Sequence, residues 1–119
     1  KKSDILSIHL PLNSKTYRLL NDKNLILLKK SAIVINTARG EIVDEKFLLS
    51  MLKQNKIISA GFDVYENEPI LKPEFYKLKN VVLLPHIGSA TVEARNNMSL
   101  LAAKNVIAVL SGKRAITPV

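Results

Sequence analysis

Val81-Val82-Leu83-Leu84-Pro85-His86-Ile87-Gly88-Ser89 is the stretch that decides the fold. Four apolar residues stop at a proline, which has no N–H to give to a ladder. The stretch therefore reads as a short buried strand that delivers a histidine to the end of a sheet. Two earlier stretches have the same layout. Ser31-Ala32-Ile33-Val34-Ile35-Asn36-Thr37-Ala38-Arg39-Gly40 ends an apolar run in an arginine, and Ile57-Ile58-Ser59-Ala60-Gly61-Phe62-Asp63-Val64 ends one in an aspartate, with Glu68 shortly after. A run at helical spacing follows the arginine stretch and a longer one follows the histidine stretch, which points to an α/β fold with a parallel sheet. In such a sheet all three ionisable residues share one rim, the rim where open parallel α/β sheets bind ligands.

The remaining elements follow from local pattern. A first strand is expected over 5–10, ended by Pro11, then a polar connector over 13–20 that contains Thr16. Asn21 or Asp22 caps a short helix to about Lys29, with Leu25, Leu28 and Ile26 facing inward. The second strand, 32–36, is β-branched and continuous, as in a strand covered on both faces. Gly40 gives the backbone freedom for the turn after Arg39. Asp44 caps a helix to about Gln54, with Phe47, Leu48, Met51 and Leu52 at helical spacing, and Asn55 closes it. The third strand is expected over 57–64, an irregular stretch over 65–79, and the fourth strand over 81–84. Ser89 or Thr91 then caps a long helix over 90–111 with one apolar stripe of Met98, Leu101, Ala102, Val106, Val109 and Leu110. Gly112 ends it, and 113–119 is a tail.

Composition narrows the function classes. The chain has 119 residues and no cysteine, so thiolate metal sites, disulfides and a cysteine nucleophile are excluded. No apolar run approaches a membrane span, and no signal peptide is visible, so a cytoplasmic protein is expected. The net charge of +8 raises the possibility of a nucleic-acid-binding domain. The lysines are scattered, however, and aromatic residues do not interleave with them to make a stacking platform. Solvated surface lysines are the better reading.

Arg39, His86 and a carboxylate carry the chemistry. Arginine offers a planar donor fork matched to a carboxylate, and histidine is the usual proton carrier near neutral pH. A neighbouring carboxylate stabilises an imidazolium. Together they suit reduction of a carbonyl next to a carboxylate. Spacing does not separate Glu68 from Glu66 as the carboxylate, and a strand-end histidine or a turn arginine is often structural. No metal site is expected.

The chain resembles the C-terminal part of the D-isomer-specific 2-hydroxyacid dehydrogenases. The matching segments are 3–12 with Thr16, Ile35-Asn36-Thr37-Ala38-Arg39-Gly40, then 61–69, then Leu84-Pro85-His86-Ile87-Gly88-Ser89-Ala90-Thr91, then Glu93-Ala94-Arg95 and the tail. They cover essentially the whole chain in the family's order, and the look within the family is that of glyoxylate/hydroxypyruvate reductases. The resemblance implies the second half of a Rossmann-type doubly wound sheet with about four strands and a long C-terminal helix. It implies NAD or NADP as cofactor, a small 2-oxo or 2-hydroxy acid as substrate, and a homodimer, with no nucleic-acid or membrane partner. By that resemblance Arg39 holds the substrate, His86 is the proton donor and Glu68, not Glu66, is its partner. Asp63 contacts the nicotinamide. Thr37, Ala38, Arg39, His86, Gly88 and Ser89 line the nicotinamide side of the cleft, and His9, Pro11 and Thr16 lie near the adenosine and ribose.

One family feature is missing. No G-x-G-x-x-G occurs among the four glycines; the family places that phosphate-holding fingerprint upstream. With no methionine at its start, residues 1–119 are expected to be the C-terminal half of a dinucleotide-binding domain and inactive in isolation. A cofactor-sensing corepressor of the same fold is the alternative.

Overall fold

The computed structural model describes residues 1–118; Val119, the end of the expected tail, lies outside the described residues. Two compact units follow one another, Lys1–His86 and the residues from Ile87 on.

The first unit is built on a four-stranded parallel sheet of β1 (Ile5–Ile8), β2 (Ile33–Asn36), β3 (Ser59–Phe62) and β4 (Val81–Leu83), in the spatial order β1-β2-β3-β4. Each strand is a little shorter than its apolar run. The first stops at Ile8, where the His9 ring turns back on Ser7, with Ser7 Oγ 2.7 Å from His9 Nε2. The pairing continues one step past β3 and β4. Asp63 N–H donates to Asn36 O at 3.0 Å, and Leu84 N–H to Phe62 O at 2.8 Å. These bonds fix the residues that leave the carboxyl edge.

Strand β2 alternates half-buried and buried residues instead of being covered alike on both faces. Val34, Ala60 and Phe62 turn toward the side where the helices supply their apolar residues, and they form one core with them. Helix α1 (Asp22–Leu25) is shorter than expected. After Leu25 the chain tightens into turns, Leu27 N–H to Asn24 O and Leu28 N–H to Leu25 O. Leu25 is buried and Leu28 packs against the core, but Ile26 points outward, contrary to expectation, and is 59% exposed. Helix α2 (Glu45–Lys53) begins at Asp44, whose carboxylate accepts the Phe47 N–H at 3.0 Å. It buries Leu48, Leu49, Met51 and Leu52. Asn55, at φ +53, ends it in a Schellman turn, with Asn55 N–H on Leu52 O and Lys56 N–H on Met51 O.

The stretch read as irregular contains a 3-10 turn, Phe75–Lys77, and a core anchor. Phe75 is fully buried and meets Phe62 and Tyr65 edge to face, with ring centroids 5.0 and 5.6 Å apart.

In the second unit, Thr91 Oγ1 accepts the Ala94 N–H at 3.1 Å and starts α3 (Val92–Leu110). The helix closes on a Schellman turn at Gly112, φ +72, with Gly112 N–H on Val109 O and Lys113 N–H on Ala108 O. The expected single stripe is absent. Leu100 and Ile107 sit on other sides of the helix from Met98 and Val109, so apolar residues circle it and none is buried. Asn105 ties the tail back, accepting from Thr117 N–H and donating to Thr117 Oγ1, both at 3.0 Å. No helix among the described residues is long and apolar enough to cross a membrane.

Candidate active site

Because the strands are parallel, the residues that follow β2, β3 and β4 leave the same edge of the sheet. Arg39 follows β2, Asp63 follows β3 and His86 follows β4.

The turn carrying Arg39 is organised by Asn36, the last residue of β2, which is almost wholly buried. Its amide oxygen accepts the Ala38 N–H at 3.1 Å and its amide nitrogen donates to Arg39 O at 2.9 Å. Both ends of Asn36 are thereby satisfied, and the loop over 37–39 is clamped to the strand. The Arg39 side chain is exposed and donates from Nη1 to Ala38 O at 2.6 Å. Gly40 then starts a 3-10 turn, Gly40–Ile42. Its role is close approach, not the positive φ expected of a turn glycine. A Cβ built there would lie 2.0 Å from the Tyr65 carbonyl carbon and 2.2 Å from Glu66 N.

The loop after β3 therefore packs directly on the turn that follows Arg39. Asp63 is buried. Tyr65 donates from its hydroxyl to Leu84 O at 2.8 Å, which joins this loop to the end of β4. Tyr65 N–H donates to Glu68 Oε1 at 2.8 Å, and Glu68 Oε2 lies 2.6 Å from His86 Nδ1. The Glu68-Pro69 peptide is cis. Burial pushes the Glu68 carboxyl up, but the hydrogen bonds from His86 and from the Tyr65 N–H, with the charges of His86 and Arg39, outweigh it and hold the group below its ordinary value. His86 sits at φ +55, a conformation that non-glycine side chains seldom adopt and that clusters at functional sites.

The two glutamates that spacing left open occupy different places. Glu68 meets the histidine, while Glu66 faces away into a cluster with Arg18 and Lys72, at 2.7 and 2.6 Å.

Two hollows flank the carboxyl edge. One of about 580 Å³ is lined by His9, Leu10, Pro11, Leu12, Thr37, Ala38 and Arg39. The other, of about 330 Å³, holds Tyr65, Glu68, Pro69, Leu84 and His86 among its walls. Thr16 lines neither of them. Its hydroxyl donates to Pro11 O at 2.7 Å and accepts from Asn13 N–H at 2.8 Å, closing the loop over 11–16 from behind. Gly88 and Ser89 belong to the second unit, in a turn where Ala90 N–H reaches Ile87 O at 2.9 Å.

Sequence reasoning passed over Asn36, Tyr65 and Glu45. Glu45 carried a readable signal, since it falls on the apolar face of α2, three, four and seven residues before Leu48, Leu49 and Leu52. A carboxylate at a core position has to be paired.

Residues 1–88 match the family model described as D-isomer specific 2-hydroxyacid dehydrogenase, NAD binding domain. A glyoxylate reductase from Thermococcus litoralis is 52% identical over 113 residues, 95% of this chain and 34% of that protein. A glyoxylate/hydroxypyruvate reductase B from Erwinia tasmaniensis is 48% identical over 113 residues, 94% of this chain and 35% of that protein. The crystal structure of an NADPH-dependent glyoxylate/hydroxypyruvate reductase from Sinorhizobium meliloti, in complex with NADP and malonate, superposes with a TM-score of 0.94 at 40% identity, over 98% of this chain and 36% of that one. The chain thus spans about a third of the length of the relatives it matches. With a family model covering 1–88 and the four-stranded parallel sheet that carries Arg39, Asp63 and His86 to one rim, the chain belongs to the D-isomer specific 2-hydroxyacid dehydrogenases, within their NAD-binding domain.

Proposed function

We propose that residues 1–119 form the C-terminal half of the dinucleotide-binding domain of a longer NAD- or NADP-dependent 2-hydroxyacid dehydrogenase. The reaction is hydride transfer between nicotinamide and a small 2-oxo or 2-hydroxy acid, with glyoxylate or hydroxypyruvate as the substrate. The observation that carries the reading is the contact of 2.6 Å between Glu68 Oε2 and His86 Nδ1 at the sheet edge that also carries Arg39.

The residues present suit a nicotinamide. The hollow beside His9, Pro11, Thr37, Ala38 and Arg39 lies outside the carboxyl ends of parallel strands, where dinucleotides bind in open α/β sheets. When bound, the nicotinamide gives the hydride in reduction and takes it back in oxidation. Arg39 grips the substrate carboxylate through its donor fork. Glu68 holds Nδ1, which orients the ring and makes Nε2 the nitrogen that exchanges a proton with the substrate oxygen. With Nδ1 held by Glu68, His86 donates a proton from Nε2 during reduction and accepts one during oxidation. Asp63 faces the nicotinamide carboxamide, Gly88 and Ser89 line its side of the cleft, and Thr16 supports the loop near the adenosine. The full-length protein is a cytoplasmic homodimer, and residues 1–119 alone are inactive.

The test is steady-state kinetics on the full-length protein with glyoxylate and hydroxypyruvate, using NADH and NADPH in turn. His86→Ala lowers kcat about 10²–10⁴-fold, the usual worth of a general acid. Glu68→Gln lowers kcat more than it changes KM, because a neutral amide holds the Nδ1–H less firmly than a carboxylate does. Near wild-type turnover in His86→Ala would refute the assignment. The corepressor alternative requires cofactor binding without turnover of either acid.

A further inference from the structure

We propose that Glu45 and Lys72 are positioning residues for this reaction, forming a brace that sets where Glu68 holds His86. The inference rests on the functional reading above and adds to it the residues that place the proton donor.

Glu45 is 2% exposed on the first turn of α2. Both of its oxygens are used. Oε1 accepts the Glu66 backbone N–H at 2.6 Å, and Oε2 takes Lys72 Nζ at 2.9 Å. Lys72 Nζ also reaches Glu66 Oε2 at 2.6 Å, and Glu66 Oε1 takes Arg18 Nη2 at 2.7 Å. Arg18 is itself fixed through its backbone, donating to Glu41 O at 2.8 Å. Glu45 therefore pins the peptide of Glu66, and the linked side chains of Lys72, Glu66 and Arg18 hold Glu45 in place.

The pinned peptide adjoins Tyr65. From Tyr65 the path runs through its N–H to Glu68 Oε1, and through Glu68 Oε2 to His86 Nδ1. On the other side of the same peptide lies Gly40, next to Arg39, with no room for even a Cβ. The loop from Tyr65 to Glu68 is held between the turn that carries the substrate clamp and a buried carboxylate. Neither Glu45 nor Lys72 lines the two hollows at the carboxyl edge. An ion pair with one partner buried and the other part-exposed is a poor source of stability. Its value here is geometric: a charged acceptor fixed on a rigid helix fastens a backbone N–H at a set position. Burial pulls the Lys72 ammonium down in pKa, but the hydrogen bonds it donates to Glu66 and Glu45, and their charges, outweigh it, so it stays charged as the hub of the cluster.

The experiment is a double-mutant cycle in the full-length protein. Glu45→Gln lowers kcat by about tenfold, a fraction of the ~10²-fold that a 1 Å misplacement costs, with KM for the nicotinamide cofactor unchanged. In a Glu68→Gln background the same change costs less than about twofold, because the residue it acts through is already altered. Lys72→Met is the second variant, since its side chain is 29% exposed and tolerates the exchange. It follows the same pattern. Leu52→Ala, on the buried side of the same helix, lowers thermal stability while kcat per folded molecule is unchanged. Equal losses in both backgrounds, or a kcat loss in Leu52→Ala matching that of Glu45→Gln, would overturn the brace. Amide exchange at Tyr65 separates this idea from the functional reading. Faster Tyr65 exchange in Glu45→Gln of a protein that reduces neither acid sinks the reductase and supports the brace. Unchanged exchange overturns the brace whatever the activity.

Discussion

Replacing Gly40 by alanine tests the packing at the candidate site with a single carbon atom. The new Cβ would stand 2.0 Å from the Tyr65 carbonyl carbon, 2.2 Å from Glu66 N and 2.4 Å from Tyr65 O. Ordinary contact begins near 3.4 Å, so the two backbones must part by about 1.4 Å, the difference between 3.4 and 2.0. All three atoms are backbone, and no side-chain rotation relieves them. The Tyr65–Glu66 peptide is held from behind by Glu45 Oε1 at 2.6 Å. Retreat breaks that bond, and standing still forces the Arg39 turn away from the sheet. Overpacking of this kind costs about 1–3 kcal/mol. Either movement shifts Glu68 against Arg39 by more than the ~1 Å that lowers turnover about 10²-fold. Urea unfolding and kcat at saturating substrate, both on the full-length protein, measure the two effects. Wild-type values of both in Gly40→Ala would refute the close approach and the tie between the two loops.

Arg39→Lys is expected to lower kcat/KM for the oxo acid roughly 10–100-fold, since a point charge gives up one of two charge-assisted hydrogen bonds; the same steady-state assay checks it. Asp44→Ala removes the acceptor of the Phe47 N–H and should cost about 1 kcal/mol in chemical denaturation. The Glu66 carboxyl is held below its ordinary 4.5 by hydrogen bonds from Lys72 and Arg18, which outweigh its burial. A depressed carboxyl stabilises the fold fully above its unfolded value and loses that contribution as pH falls through the folded one. The stability gap between wild type and Glu66→Gln should therefore be widest above about pH 5 and close below it, as read from urea unfolding across pH 7 to 3.

The strands were legible because each is a short apolar run stopped by a turn residue, and parallel strands put their last residues on one edge. Asp44 and Thr91 were readable as caps because a short oxygen-bearing side chain before an apolar-periodic run has few other uses. Ile26 was misread because helical spacing was extended past Leu25, where the chain has already tightened into single turns. The irregular stretch hid Phe75, a lone aromatic among prolines and charges with no period to reveal it. Gly40 was recognised as a turn glycine for the wrong reason. The space it leaves open belongs to Tyr65 and Glu66, more than 20 residues away, and no local pattern reports a distant backbone. The same limit kept Glu66 and Glu68 apart only by family resemblance; in the structure the distinction is which of them faces Lys72 and which faces His86.

The sheet order β1-β2-β3-β4 repeats the order of the chain. A polypeptide is made from its N-terminus, so each strand emerges when the neighbour it pairs with is already out of the ribosome. Among the described strands, β2, β3 and β4 each add beside the strand made just before them. Of Arg39, Asp63, Glu68 and His86, the histidine is synthesised last, after the three-residue strand Val81–Leu83. A nascent chain released before β4 has docked carries Arg39 without His86 beside it. During synthesis the rim of the candidate site is therefore incomplete until β4 has joined β3.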